Sequence, residues 1–128
     1  MTDFTHENLK AVEDQAPKYG MQGLEYRPAR NSLGLSESGI SYLGLEPDFR
    51  MPFGHAHKRQ EEVYVLISGN ARLKLDDEIV ELRPFDAVRI ATGVTRNLEA
   101  GPDGAELILF GAPQASDDAP MVQNWWTD

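Results

Sequence analysis

Residues 54–69, Gly-His-Ala-His-Lys-Arg-Gln-Glu-Glu-Val-Tyr-Val-Leu-Ile-Ser-Gly, constrain this chain more than any other stretch. His55 and His57 alternate as neighbours along a β-strand do, which aims both imidazoles at one face of a sheet. A short polar stretch leads to Glu62, an apolar run over 63–67 follows, and Gly69 ends it. Two imidazole nitrogens and a carboxylate oxygen converging from adjacent strands supply half of a transition-metal coordination sphere. A metal-free reading also stands, in which a barrel interior holds two histidines hydrogen-bonded to a glutamate. The His-x-His pair with its following Glu shifts the balance towards a metal.

The rest of the chain reads as short alternating apolar runs separated by turn residues. The runs are 24–27, 40–45, 51–57, 62–67, 71–75, 79–82, 87–91, 94–100 and 105–110. Ser68-Gly69-Asn70 reads as a tight turn, as do Asp76-Asp77-Glu78 and Arg83-Pro84-Phe85-Asp86, and Gly101-Pro102-Asp103-Gly104 separates the last two runs. Strands at such spacing with almost no helix indicate an antiparallel sandwich or barrel. Leu9 and Val12 sit at helical spacing among charges, so 5–15 reads as a short surface helix or an extended arm, ended by Pro17. A chain of 128 residues is expected to be one domain, with a barrel core over about 24–111, an N-terminal arm over 1–23 and a C-terminal tail over 112–128.

Composition removes several classes of function. A net charge of -9 and a pI near 4.7 argue against nucleic acid or an anionic membrane as partner. Without cysteine there is neither a disulfide framework nor a thiolate ligand, so any metal must be held by nitrogen and oxygen. The start, Met1-Thr2-Asp3-Phe4, lacks a basic region followed by an apolar one, and the apolar run 63–67 is too short to span a bilayer. A cytoplasmic location is the expectation. No phosphate loop, nucleotide fingerprint or serine elbow is present, and Asp76-Asp77-Glu78 lacks the length and glycine of a calcium loop.

The spacing His-x-His, four residues, Glu, six residues, Gly resembles the first sequence motif of the cupin superfamily. The resemblance implies an all-β, double-stranded β-helix (jelly-roll) cupin barrel with a pocket inside. It implies His55, His57 and Glu62 as ligands of one divalent transition metal, Fe, Mn, Ni or Zn. The second cupin motif, G-D-x-x-x-x-P-x-G-x-x-H, falls on 85–96, where Asp86 and Gly93 match. Phe85 replaces its first glycine, Ala91 its proline, and Arg96 stands at the histidine that serves as fourth ligand.

Arg96 shares strand parity with Val94 and Leu98 and is expected to face inward, which is costly unless an anion meets it. Glu62 is one such anion, leaving a metal-free site. A ligand's carboxylate or phosphate is another, with a metal on the histidines. A third arrangement has the guanidinium reach water at the barrel mouth. A protonated guanidinium does not ligate a metal. Tyr42 and Tyr64 are candidates to line the pocket, with an ordinary core role as the plainer alternative. Gln60 reads as an exposed loop residue and His6 as a surface one.

The run 63–67 is apolar on both faces, so a second subunit is expected to cover the outer one in a two-fold homodimer. Trp125 and Trp126 are expected to fold back onto this subunit or its neighbour. Two functions follow. One is a metal-dependent isomerase, decarboxylase or dioxygenase acting on a compact anionic or polyoxygenated substrate, with Arg96 orienting its acidic group. The other is a non-catalytic, metal-free module binding a small molecule. No residue is assigned a catalytic role, and the resemblance does not choose among reactions.

Overall fold

A computed structural model describes residues 2–113 and 119–128. In chain order it contains β1 (Leu24–Pro28), the single-turn α1 (Arg30–Leu33), β2 (Gly39–Leu45), β3 (Phe53–His55) and β4 (Glu62–Leu75). Then follow β5 (Glu78–Leu82), β6 (Ala87–Ile90), β7 (Arg96–Gly111) and β8 (Met121–Gln123). Every strand pairing is antiparallel. One hydrogen-bonded path runs β1-β2-β7-β3-β8, while β4 pairs with β5, β6 and β7. The curled sheet is the all-β jelly roll that the alternating runs imply. Among the described residues no helix is long and apolar enough to cross a membrane.

Two expected turns are bends within strands. Runs 62–67 and 71–75 form one strand, β4, and the last two runs join as β7, which begins at Arg96 rather than Val94. A reversal would pair the two arms of each run with each other, but here both arms of β4 pair with β7. The bends fall where the register slips, between Leu66 and Ser68 and between Gly69 and Ala71. Gly69 and Gly104 adopt φ of 81° and 73°, and a Cβ on Gly69 would stand 2.1 Å from the Gly104 carbonyl oxygen. Only a residue without a side chain lets these two bends nest.

Alternation then places the core. Leu43, Leu66, Leu73, Ile90, Leu98 and Leu107 point inward, with Tyr64 among them. The arm is not an α-helix. It makes 3₁₀ turns at Leu9–Ala11 and Ala16–Tyr19, and Pro17 sits inside the second instead of ending a helix. Docking to β1 supplies the hydrogen bonds a helix would have made: Asp14 Oδ1 accepts the Ala16 and Tyr26 N–H groups, both at 2.9 Å, and Arg27 Nη1 donates to the Val12 carbonyl at 2.6 Å.

The tail folds back onto its own subunit. Trp126 Nε1 donates to the Met51 carbonyl at 2.8 Å, and the Arg50 guanidinium lies 4.6 Å from its ring centroid. Asp128 meets Arg50 and Arg72, each at 3.0 Å. Trp125 lies against Gly54, where a Cβ would come within 2.6 Å of the indole, and the Lys74 ammonium is 4.0 Å from its ring centroid. β8 adds to the edge of β3 and sets Met121 opposite His55. Residues 114–118 of the expected tail lie outside the described residues.

Replacing Gly69 with Ala is expected to cost more than about 2 kcal/mol, because a left-handed backbone and a steric clash act together. Gly20→Ala, at φ 68° with open space around it, should cost about 1 kcal/mol. Urea unfolding of both variants checks the difference, and equal losses would contradict the nested-bend account.

Candidate metal centre

Two backbone segments bring the expected ligands together, one carrying both histidines and the other Glu62. His55 ends β3, held opposite Arg96 on β7. His57 lies just beyond that strand, where its carbonyl accepts the Gly93 N–H at 2.8 Å. Glu62 opens β4, between Ile90 of β6 and Gly111 of β7. One donor atom from each of the three lies within 4.8 Å of the others. The imidazoles stand edge to face, at 88°, with centroids 5.3 Å apart.

The polar atoms show what this cluster lacks. His57 Nε2 is 3.3 Å from Glu62 Oε1. His55 Nδ1 and Glu62 Oε1 are buried without a hydrogen-bond partner. A buried polar atom left unpaired costs about 1–3 kcal/mol, so a network of two histidines bonded to a glutamate accounts for only part of this geometry. Burial above all, then the nearby Arg96 guanidinium and His57, lower the His55 pKa to about 4, against a weaker opposing pull from Glu62. His55 is therefore a neutral imidazole at neutral pH, the form that ligates a metal. The donor set, two nitrogens and one oxygen within 4.8 Å of one another, fits a divalent transition metal.

Arg96 points inward as strand parity requires, and its side chain has 0% exposure. Its Nη1 donates to the Val94 carbonyl at 3.0 Å, and its Nη2 lies 3.5 Å from Glu62 Oε1. That separation is an ion-pair distance without hydrogen-bond geometry, and Nε and Nη2 have no hydrogen-bond partner. Full burial removes the arrangement in which the guanidinium reaches water. Arg96 is not among the residues lining the neighbouring cavity, and its guanidinium meets the Glu62 carboxylate.

That cavity, about 990 Å³, opens beside the His55, His57 and Glu62 side chains. Tyr64, 2% exposed, lines it, and burial raises its phenol pKa. Tyr42 does not. Leu43 and Leu45 face the core, so Tyr42 takes the opposite side of β2, where its hydroxyl donates to Glu106 at 2.7 Å. Ser68 and Lys10 meet the same carboxylate at 2.7 Å each, and these contacts hold its pKa down at about 2. The parity of the run 40–45 already carried that placement. Gln60, expected in solvent, is 8% exposed and lines the cavity. Asn97, whose parity is opposite to that of Arg96, is 2% exposed; its amide donates to the Phe53 carbonyl and so ties β3 to β7. No local pattern marks either residue, because the parts that bury them are distant in sequence.

No protein-family model matches the chain, and no curated protein does. Solved structures do. The polyketide cyclase RemF from Streptomyces resistomycificus superposes with a TM-score of 0.76 at 16% identity, over 98% of this chain and 89% of that one. A sugar phosphate isomerase of the cupin superfamily from Silicibacter pomeroyi gives 0.73 at 20% identity, over 88% and 78%. A cupin protein from Bacteroides fragilis gives 0.72 at 22% identity, over 100% and 99%. Other matched chains are longer: this one spans 64% of a structure from Acidithiobacillus ferrooxidans. The jelly roll, the cavity inside it and the placement of His55, His57 and Glu62 beside that cavity make this chain a protein of the cupin fold.

Proposed function

We propose that the chain binds one divalent transition metal, Fe, Mn, Ni or Zn, on His55, His57 and Glu62 and acts on a small polyoxygenated molecule in the adjacent cavity. The observation that carries this reading is that one donor atom from each of His55, His57 and Glu62 lies within 4.8 Å of the others, while His55 Nδ1 and Glu62 Oε1 are buried without a hydrogen-bond partner. When bound, such a metal supplies Lewis acidity or redox chemistry. The chain's own residues position it, exclude water through the apolar cavity wall, and hold Glu62 against Arg96. The neighbours named as isomerase, cyclase and decarboxylase support an enzyme reading without choosing a reaction.

A second reading rests on Arg96. Its guanidinium and Glu62 neutralise each other, which describes a metal-free binding module. Metal analysis of protein purified without chelator separates the two. The metal reading expects a stoichiometric ion that is lost in a His55→Ala, His57→Ala double variant. It also expects Arg96→His to tighten metal affinity by about tenfold or more, since a cation is replaced by a possible fourth ligand. Protein that stays metal-free after exposure to each ion supports the binding module instead.

We also propose a homodimer. Val63, Val65 and Ile67 share the outward face of β4, with Phe110 and Ile108 opposite the first two. Phe85, 78% exposed at φ 73°, bonds the Leu66 carbonyl and so sits at the end of that row. An exposed aromatic in a left-handed backbone conformation is costly, and contact with another molecule offsets that cost. Copies of a chain carrying -9 repel one another except where acids are sparse, and on this face the Glu61 carboxylate is paired with Arg89 at 3.4 Å. Light scattering should return a dimer, and Val65→Asp a monomer. A monomeric native chain at micromolar concentration would sink the proposal.

A further inference from the structure

The cavity wall is specific about the body of its ligand. Met21, Leu24, Met51, Phe53 and Leu109 are among the apolar side chains that line it away from His55, His57 and Glu62. Tyr26 adds a ring whose hydroxyl interacts with Ser41. A hydrated group set against such a surface loses its water without gaining partners, at a cost of about 1–3 kcal/mol for each unpaired polar group. Cavities of roughly 300–1,000 Å³ hold drug-sized molecules, and this one is at the upper end at about 990 Å³. A two-carbon diacid would fill a small fraction of it.

The charges around the cavity are equally selective. Among the described residues Arg30 is the only lysine or arginine lining it, and its Nη2 donates to the Ser36 carbonyl at 3.0 Å. Arg96 is fully buried and does not reach the lumen. A phosphate in this cavity would therefore meet a single guanidinium rather than a cluster of cations. At the polar end the balance runs the other way. A dication held by two neutral imidazoles and Glu62, with the Arg96 guanidinium behind that carboxylate, leaves positive charge in excess, which acidic oxygens would neutralise.

We infer that the ligand is a ring-sized, largely apolar molecule carrying a pair of neighbouring acidic oxygens at one end, such as a polyphenol, a hydroxyquinone or an enolised diketone. The inference rests on the metal reading for its oxygen-bearing head and on the cavity wall alone for its body. Sugar phosphates and small diacids lack the apolar surface the wall requires.

Titration of zinc-loaded full-length protein with alizarin, an ortho-hydroxylated anthraquinone, tests this by visible absorbance and calorimetry. Oxalate, glucose phosphate and unhydroxylated anthraquinone serve as comparisons. Alizarin should bind in the micromolar range, and oxalate and glucose phosphate at least about a hundredfold more weakly. Met21→Glu should weaken alizarin about tenfold or more, with zinc affinity measured alongside to show that the centre is intact. Leu24→Ala, a gentler change, should weaken it several-fold. Zinc-loaded protein that prefers oxalate or glucose phosphate, or that takes alizarin equally well in both variants, overturns the inference while leaving the metal reading in place. Protein that binds no zinc but takes alizarin and anthraquinone alike overturns the metal reading and the acidic head, and leaves the apolar body.

Discussion

The pairing of β4 with β7 governs the rest of the molecule. Glu62 opens one strand opposite Gly111, and Arg96 opens the other opposite Leu75, so the two residues start at opposite ends of an antiparallel ribbon. A straight strand of this length would hold them about 40 Å apart. They stand 3.5 Å apart because the ribbon folds over at Gly69 and Gly104 and brings its two halves face to face. The same fold encloses the leucine core, opens the cavity and brings a carboxylate and a guanidinium together in a place with little water.

That proximity sets the electrostatics of the site. Arg96 cannot leave, since its side chain is wholly buried, and it faces Glu62 without a well-formed hydrogen bond. The guanidinium also helps to keep His55 neutral, acting in the same direction as burial. A second cation at the centre is then favoured by three donors and opposed by one fixed charge. This tension explains why Arg96→His should strengthen metal binding, and why a ligand bearing acidic oxygens suits the centre better than a neutral one.

The two termini complete the barrel. The arm closes on β1 through Asp14 and Arg27, and Lys10 reaches Glu106 on the outer face. The tail seals the end of the sheet near β3: Trp125 lies on Gly54, beside His55, and Trp126 is held under Arg50 and Arg72. Lys74 and Asn97 are buried although both carry polar groups; Lys74 finds its partner in the Trp125 carbonyl and Asn97 in the Phe53 carbonyl. The segment that carries two of the expected ligands is thus supported from both sides.

Alternation of apolar and polar residues, together with turn chemistry, was enough to identify the all-β barrel, and His55, His57 and Glu62 were legible because ligand spacing follows strand geometry. Parity also turned Arg96 inward, whereas Tyr42, expected in the pocket, lies on the face opposite Leu43. These are local properties, fixed by the two-residue repeat of a strand. Whether Ser68-Gly69-Asn70 reverses the chain or bends it depends on which strand pairs alongside, and that partner, Ala105 and Glu106 of β7, is distant in sequence. Which anion meets Arg96, that Gln60 is buried and that the indoles cover their own subunit are likewise set by long-range packing. The sequence by itself determined which side chains face inward. Only the tertiary structure decided which of them meet, because contact between distant segments depends on how the sheet curls.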